Sequence, residues 1–132
     1  MEISGHTRLL CLIGSPVAHS GSPAMHNYSF EKLGLDYRYL AFDIKEEDTK
    51  KAIEALKMMN FRGCNITMPG KTVAASCCDE LSKAAQLTGA INTLSLIHIS
   101  SHLITQEIAD GADGVCGAFR TYDKPGTERQ DA

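Results

Sequence analysis

Several features that mark common classes of protein are scarce in this sequence of 132 residues. It has no tryptophan, only four tyrosines and four phenylalanines, and no basic cluster, and its formal net charge is −3. A nucleic-acid partner is therefore not expected, because such a partner needs a basic surface and aromatic side chains that stack on bases. No apolar run approaches the roughly 18 residues of a membrane span, and the N-terminus lacks the features of a signal peptide. These absences predict a cytoplasmic protein with no membrane partner.

The cysteine pattern also lacks the spacing of a disulfide framework or a zinc site. The five cysteines are odd in number and show no C-x-x-C motif: Cys11, Cys64, Cys77, Cys78 and Cys116. They are interpreted as reduced, mostly buried thiols. His19 and His26 are interpreted as packing or hydrogen-bonding residues, because no acidic or cysteine partner lies at metal-like spacing. His98 and His102 are four residues apart but lie in a predicted hairpin, not a helix, and are interpreted as surface residues. No metal site is predicted.

What the sequence does contain is an alternation of apolar strands and amphipathic helices. Its hydrophobic fraction of 43% suits one domain with its own core. Strands are predicted at residues 8–14, 37–44 and 61–67, and this βαβαβ order favours a parallel sheet covered by helices, the α/β class. Two helices are predicted between them. One runs from about residue 24 to 33 with Gly34 as its C-terminal cap, and its common face carries His26, Phe30 and Leu33. The other lies within residues 46–60, and its apolar face carries Ala52, Ile53, Leu56 and Met59.

The loop after the first strand carries two serines at a predicted helix start. Ser22 directly precedes Pro23, and Ser20 lies two residues earlier. Proline is favoured in the first turn of a helix, and serine is favoured as its cap. Two hydroxyls beside the positive end of a helix dipole form a cradle for a small anion such as a carboxylate. The alternative interpretation is that Ser22 only caps the helix and Ser20 is a turn residue.

The loop after the third strand carries an asparagine, a threonine and a lysine, in "GCNITMPGK". Asn65 and Thr67 alternate along a strand, so their side chains are expected on one face. Pro69 is expected to begin a helix, which places Lys71 in the first turn, where a cation loses roughly 0.3–1 kcal/mol to the dipole. That cost indicates a use for the amine, such as proton exchange with a substrate hydroxyl. The alternative is a solvated lysine beside two polar strand-end residues.

Three segments together resemble the successive signatures of the shikimate dehydrogenase family. They are "SPVAHSGSPAMHN", "FRGCNITMPGK" and "CDELSKAAQLTGAINTL", and the resemblance covers about residues 8–94. The family reversibly reduces 3-dehydroshikimate to shikimate with NADPH, a step in aromatic amino acid biosynthesis. The resemblance implies an N-terminal substrate-binding domain built on a mixed, mainly parallel sheet flanked by helices.

The resemblance also implies roles for particular residues. Ser20 and Ser22 would hold the substrate carboxylate, in agreement with the anion cradle. The ring hydroxyls would be bound by Asn65, Thr67 and Asn92. Lys71 matches the catalytic lysine, which bonds to and helps to protonate the oxygen whose carbon receives the hydride. The second catalytic group is an aspartate, for which Asp110 is the candidate and Asp113 the alternative; Asp110 is otherwise a turn residue before glycine.

The sequence departs from the family beyond Leu94. The family's NADP-binding domain is missing, because the glycines of "DGADGVCG" fit neither the spacing nor the context of a dinucleotide fingerprint. NADP(H) is thus implied only by the resemblance. We expect a shikimate-binding catalytic domain at residues 1–110 and a divergent, loose tail at 111–132. A truncated product, an altered reading frame and a split enzyme would each explain this.

The function expected from these observations is one half of a shikimate dehydrogenase. Its partners would be shikimate and 3-dehydroshikimate, together with a separate NADP-binding chain or a second copy of itself through exposed apolar surface. The alternatives are a stand-alone domain that binds shikimate or quinate, and a fragment without turnover. The sequence leaves the choice between shikimate and quinate open.

Overall fold

The computed structural model describes residues 2–96 and 117–119. Within these residues the chain forms six strands, four helices and one 3₁₀ turn. The strands are β1 (Arg8–Gly14), β2 (Tyr37–Asp43), β3 (Gly63–Ile66), β4 (Glu80–Leu81), β5 (Thr93–Ser95) and β6 (Gly117–Phe119). The helices are α1 (Ser22–Leu33), α2 (Thr49–Met58), α3 (Lys71–Ser76) and α4 (Lys83–Thr88), and the 3₁₀ turn (Glu46–Asp48) directly precedes α2.

The six strands form one sheet in the order β2-β1-β3-β5-β6-β4. The pairs β1–β2, β1–β3 and β5–β6 are parallel, whereas β3–β5 and β4–β6 are antiparallel. The prediction of an α/β fold with a mixed, mainly parallel sheet is confirmed. Strand β6 lies within residues 111–132 and belongs to the sheet, so at least these three residues of the predicted loose tail are ordered into it. The domain boundary at residue 110 stays a prediction.

The two faces of the sheet are covered by different helices. On one face, side chains of β1, β3 and β5 pack with α2, α3 and α4 in the larger core, which includes Cys11, Ile13, Ile53, Leu56, Cys64, Ile66, Ala74, Ala85 and Leu94. On the other face a smaller cluster consists of Leu12, Val17 and Tyr39, and Phe30 of α1 packs against it. Helix α1 contributes no fully buried side chain. The loop that carries Ser20, the serine loop, therefore leads into a helix that contacts the sheet only through partly buried side chains.

Helix boundaries agree with the predictions at one end of α1 and differ elsewhere. Gly34 adopts φ 67° and its amide bonds back to Glu31 and Phe30, which confirms the predicted C-terminal cap. Leu33 is 71% exposed, so the packed face of α1 does not include it. Met59 is also exposed, and its predicted place on the buried face of α2 is wrong, because the helix ends at Met58.

The start of α3 is corrected as well. The helix begins at Lys71, not at Pro69, because residues 67–70 form a turn in which the Gly70 amide donates to the Thr67 carbonyl at 3.2 Å. Strand β3 is also shorter than the predicted 61–67: it begins at Gly63, and it ends at Ile66 because Thr67 already belongs to that turn. Lys71 nevertheless lies in the first turn of the helix, as the sequence predicted.

The four described cysteines are free thiols. Cys11 and Cys64 are buried register partners on β1 and β3. Their mutual hydrogen bond, together with burial, raises the pKa of the Cys64 thiol. Cys77 and Cys78 are only partly buried, and Cys116 lies outside the described residues. Among the described helices, none has the length and apolar character needed to cross a membrane.

Candidate functional site

The loops that follow β1 and β3 are joined by backbone hydrogen bonds. The Ser15 amide donates to the Met68 carbonyl and the Thr67 amide donates to the Ile13 carbonyl, both at 2.9 Å. Gly14 makes this contact possible: a Cβ atom there would overlap Thr67 Cγ2 and lie 2.9 Å from the Met68 oxygen. The serine loop and the "NITMPGK" loop consequently meet at the carboxyl ends of two adjacent parallel strands, where α/β proteins bind ligands.

A third segment joins them from β5. Because β5 runs antiparallel to β3, its first residues lie beside the end of β3. The Ile66 amide donates to the Asn92 carbonyl at 2.9 Å, and the Ile91 amide donates to the Lys71 carbonyl at 3.1 Å. The structure thereby places Asn92 near Lys71 and Asn65, two other residues that the sequence analysis selected for the site.

Tyr39 connects the first loop to the third strand, and the sequence analysis did not identify it as a site residue. Its hydroxyl donates to Asn65 Oδ1 at 2.7 Å, and the Ser22 side chain hydrogen-bonds the same phenol. Tyr39 stands on β2, and β1 separates that strand from β3. The phenol and Asn65 meet because a single strand lies between β2 and β3 and because a tyrosine side chain is long enough to reach across it. The sequence signal was limited to an aromatic residue in a predicted strand.

The phenol of Tyr39 is held in its neutral form. Burial raises the pKa of Tyr39 above its ordinary value, while the bond to Ser22 opposes this shift. A neutral phenol can donate its proton to the Asn65 oxygen, so that bond persists throughout the physiological pH range.

Asn65 is oriented by partners on both sides of its amide. Oδ1 accepts from Tyr39, while Nδ2 donates to Thr93 Oγ1 at 3.2 Å and, more weakly, to the Asn92 carbonyl at 3.4 Å. These contacts determine which end of the amide is the donor. The side chain is therefore preorganised at the end of β3, next to the loop that carries Thr67.

The two serines take different roles at the start of α1. Gly21 is the N-cap residue and no side chain caps the helix, so the alternative that Ser22 only caps the helix is wrong. Instead, Ser20 Oγ accepts from the Ser22 amide at 3.2 Å. Both side chains are half-buried, and the Ser20 hydroxyl proton is not used in that bond. The Ser20 hydroxyl can thus donate to an anion beside the first turn of α1, and the Ser22 hydroxyl can do so in exchange for its bond to the Tyr39 phenol.

Lys71 is distinguished by its neighbours and not by its position in a helix. Lys83 occupies the equivalent position, as the first residue of another six-residue helix, and it is exposed. A lysine in a first turn is therefore not by itself a sign of function in this chain. Lys71 is half-buried and lies between the Asn92 segment and the turn that begins at Thr67.

His26 packs in the way the sequence analysis expected. Its ring stacks on Tyr39 at a centroid distance of 4.3 Å and on Phe30 at 6.2 Å. Burial lowers the pKa of His26 below its ordinary value of 6.5. His19, in the loop before α1, is exposed.

The lowered pKa of His26 predicts a loss of stability in mild acid. The unfolded chain binds this proton more tightly than the folded chain, so the free energy of unfolding should fall as the pH drops below about 6.5. The contribution is fully present above that pH. Urea titrations between pH 7.5 and 5 should show a smaller pH dependence in His26→Phe than in the original chain, whereas His19→Gln should keep the original dependence. Equal slopes in all three proteins would contradict the assignment.

Other candidates cannot be placed. Asp110, Asp113, His98 and His102 lie outside the described residues. Within residues 2–96 and 117–119, no group of three or more histidine, cysteine, aspartate or glutamate side chains is arranged to hold a metal ion. Near the start of α1 the described residues include Gly14 and Gly21, and this spacing does not match the G-x-G-x-x-G fingerprint of a dinucleotide site.

Comparison with known proteins gives a matching family model, similar curated proteins and similar solved structures. The family model described as shikimate dehydrogenase substrate binding domain matches residues 12–94. The shikimate dehydrogenase (NADP(+)) of Streptococcus uberis is 41% identical over 130 residues, which are 98% of this chain and 42% of that protein. The chain thus spans less than half the length of this relative.

Two solved structures resemble the fold closely. Shikimate 5-dehydrogenase from Listeria monocytogenes, in complex with shikimate and NAD, superimposes with a TM-score of 0.71 at 41% identity over 90% of this chain and 36% of that one. The enzyme from Thermus thermophilus, in complex with NADP(H) and shikimate, gives a TM-score of 0.67 at 33% identity over 86% of this chain and 37% of that one.

Proposed function

The chain belongs to the family of shikimate dehydrogenase substrate-binding domains, and we propose that it binds shikimate and 3-dehydroshikimate where β1, β3 and β5 meet. It would act as the substrate-binding half of an NADPH-dependent dehydrogenase. The observation that carries the proposal is the hydrogen-bonded series Ser22–Tyr39–Asn65, which joins the loops holding the predicted carboxylate ligands and the predicted hydroxyl ligands.

The proposed roles follow from the chemistry of each group. Ser20 and Ser22 donate to the substrate carboxylate beside the positive end of the α1 dipole, and Ser22 does so by exchanging its bond to the Tyr39 phenol. Asn65, Thr67 and Asn92 are polar groups at one end of the sheet, suited to ring hydroxyls. Support for this arrangement comes from the bonds that hold Asn65 and the Asn92 segment against the end of β3.

Lys71 is the proposed acid in the reduction. Its ammonium group would bond to the substrate carbonyl oxygen and supply the proton that the oxygen needs as its carbon is reduced. Asp110 is proposed as the second member of the pair, with Asp113 as the alternative.

We propose that the cofactor is held outside the described residues, whose glycines show no dinucleotide fingerprint. The solved relatives in complex with NAD or NADP(H) are longer than this chain. Turnover is therefore proposed only in combination with a cofactor-binding part. Substrate binding without turnover is the second candidate, favoured by the matching family model, which describes a substrate binding domain.

A calorimetric titration with shikimate tests the proposed binding site. Ser20→Ala combined with Ser22→Ala should weaken binding by roughly 100-fold or more, because each hydrogen bond to a charged group contributes about 1.5–3 kcal/mol. Ser29→Ala is the matched control, since Ser29 lies in the same helix and bonds only to the Met25 carbonyl of its own helix. A parallel titration with quinate shows which acid is preferred.

The outcomes of this titration are distinct. Absence of heat from the original chain, shown by circular dichroism to be folded, would contradict the proposed function. Binding that the double variant retains would contradict the role of the serines. Addition of NADPH and 3-dehydroshikimate to the isolated chain then separates turnover from binding alone.

A further inference from the structure

Asn27 makes an unusual pair of hydrogen bonds between α1 and the edge of the sheet. Its Nδ2 donates to the Tyr39 carbonyl at 2.9 Å, and its Oδ1 accepts from the Tyr39 amide at 2.8 Å. A side-chain amide offers the same donor and acceptor as a peptide group. Asn27 therefore bonds to β2 as a residue of a neighbouring strand would.

The amide and carbonyl of Tyr39 point outward from the edge of the sheet. The Arg8 amide donates to the Asp36 carbonyl, and the Ile44 amide donates to the Gly14 carbonyl, so the backbone groups of even-numbered residues in and beside β2 point toward β1. Residues alternate along a strand, and the amide and carbonyl of Tyr39 consequently face outward. Because β2 is the first strand in the sheet order, these groups would otherwise face solvent or a further strand.

Helix α1 depends on such contacts because it buries no side chain completely. Its attachment to the sheet includes the half-buried rings of His26 and Phe30 together with the two Asn27 bonds. Tyr39 is the common partner of most of these contacts: Asn27 holds its backbone, His26 stacks on its ring, and Asn65 accepts from its hydroxyl. The position of α1 along β2 is thus set mainly at Tyr39, with a second contact between the rings of Phe30 and Tyr37 at 5.4 Å.

We propose that Asn27 is a positioning residue that fixes the start of α1 against β2, and through it the distance from Ser20 and Ser22 to Asn65. This inference rests on the proposed function, because it assigns Asn27 an effect on shikimate binding through the serines. Asn27 itself need not contact the substrate. Its loss should loosen α1 while the larger core, on the opposite face of the sheet, stays folded.

Hydrogen exchange tests the attachment independently of any ligand. In Asn27→Ala, the amides of α1 should exchange about 10-fold faster or more, while those of β3 keep their protection. Alanine raises intrinsic helix propensity, so faster exchange cannot result from a poorer helix former. Ser29→Ala, which makes the same kind of change in the same helix, should leave α1 protection unchanged or increased.

Calorimetry with shikimate tests the consequence for the site. Asn27→Ala should weaken binding by roughly 10-fold, which corresponds to about 1.4 kcal/mol. Asn27→Asp retains the acceptor for the Tyr39 amide but places a carboxylate oxygen against the Tyr39 carbonyl, so it should also weaken binding. The Asn27→Ala effect should vanish when Ser20 and Ser22 are already alanine, because Asn27 acts through them.

A matched destabilisation elsewhere separates positioning from general stability. Ile53→Val removes one methylene from the larger core and should cost about 0.5–1.5 kcal/mol without changing the affinity for shikimate. If Asn27→Ala does not fold, the exchange and affinity of Asn27→Asp decide the question.

The results that would overturn the proposal are specific. Unchanged α1 exchange in the variant, or faster exchange with an unaltered affinity, would exclude the positioning role while the proposed function stands. An Asn27→Ala effect that persists in full without the serines would also exclude it. If the original chain does not bind shikimate, the proposed function fails and the positioning role fails with it.

Discussion

Replacing Gly14 by alanine is expected to lower the free energy of unfolding by roughly 3 kcal/mol and to remove measurable shikimate binding. The added Cβ would overlap Thr67 Cγ2 and approach the Met68 carbonyl, both in the loop after β3. Two backbone hydrogen bonds join that loop to the end of β1, and the new methyl group would force them apart. Urea titration and calorimetry on the same preparation measure the two effects.

The matched control for this substitution is Gly21→Ala. Gly21 lies in the same loop with φ −82°, and a Cβ atom there would meet nothing within 4 Å. Its unfolding free energy and its affinity for shikimate should both stay close to those of the original chain. If Gly14→Ala behaved like Gly21→Ala, the close approach of the two loops would not be required for the site.

The second large effect is expected for Lys71→Met in a catalytically complete assembly. Methionine keeps the length of the side chain and removes its proton and charge. General acid catalysis typically contributes about 10²–10⁴-fold, so the turnover number should fall by at least 100-fold. The measurement uses a hybrid in which this chain replaces the aligned segment of the Streptococcus uberis enzyme, with NADPH oxidation followed in the presence of 3-dehydroshikimate.

Lys83→Met is the matched control for Lys71→Met. Both lysines begin a six-residue helix, so any effect of charge on a helix N-terminus is the same for both. The hybrid with Lys83→Met should retain full turnover. A Lys71→Met hybrid whose turnover stays within a few-fold of the parent would show that Lys71 is not the acid.

The sequence was most informative where local chemistry determines structure. The apolar run of β1 was predicted with both of its ends, and Gly34 ends α1 because glycine adopts a positive φ without strain. The order of strands and helices also predicted the α/β class, because consecutive parallel strands need covered faces. The site candidates were selected by local patterns: two serines at a helix start, alternating polar residues at a strand end, and a lysine in a first turn, which are Ser20, Ser22, Asn65, Thr67 and Lys71.

Predictions failed at the ends of helices and at one contact between distant parts of the chain. Met59 fitted the apolar period of α2, but the helix ends before it and leaves its side chain in solvent. Proline is common in first turns, but here a turn closed by the hydrogen bond from Gly70 to Thr67 contains Pro69, and the helix begins at Lys71. Tyr39 was identified only as an aromatic residue of a strand, since its contact with Asn65 crosses an intervening strand.

By itself the sequence determined the class of fold, the loops that carry polar groups, and the family to which the chain belongs. These properties depend on periodicity, turn residues and short motifs, all of which are local in the chain. The tertiary structure decided which of those loops touch, that Tyr39 joins them, and that Asn27 attaches α1 to the edge of the sheet. Such contacts depend on strand order and on how closely two backbones approach, and no local pattern in the sequence encodes either property.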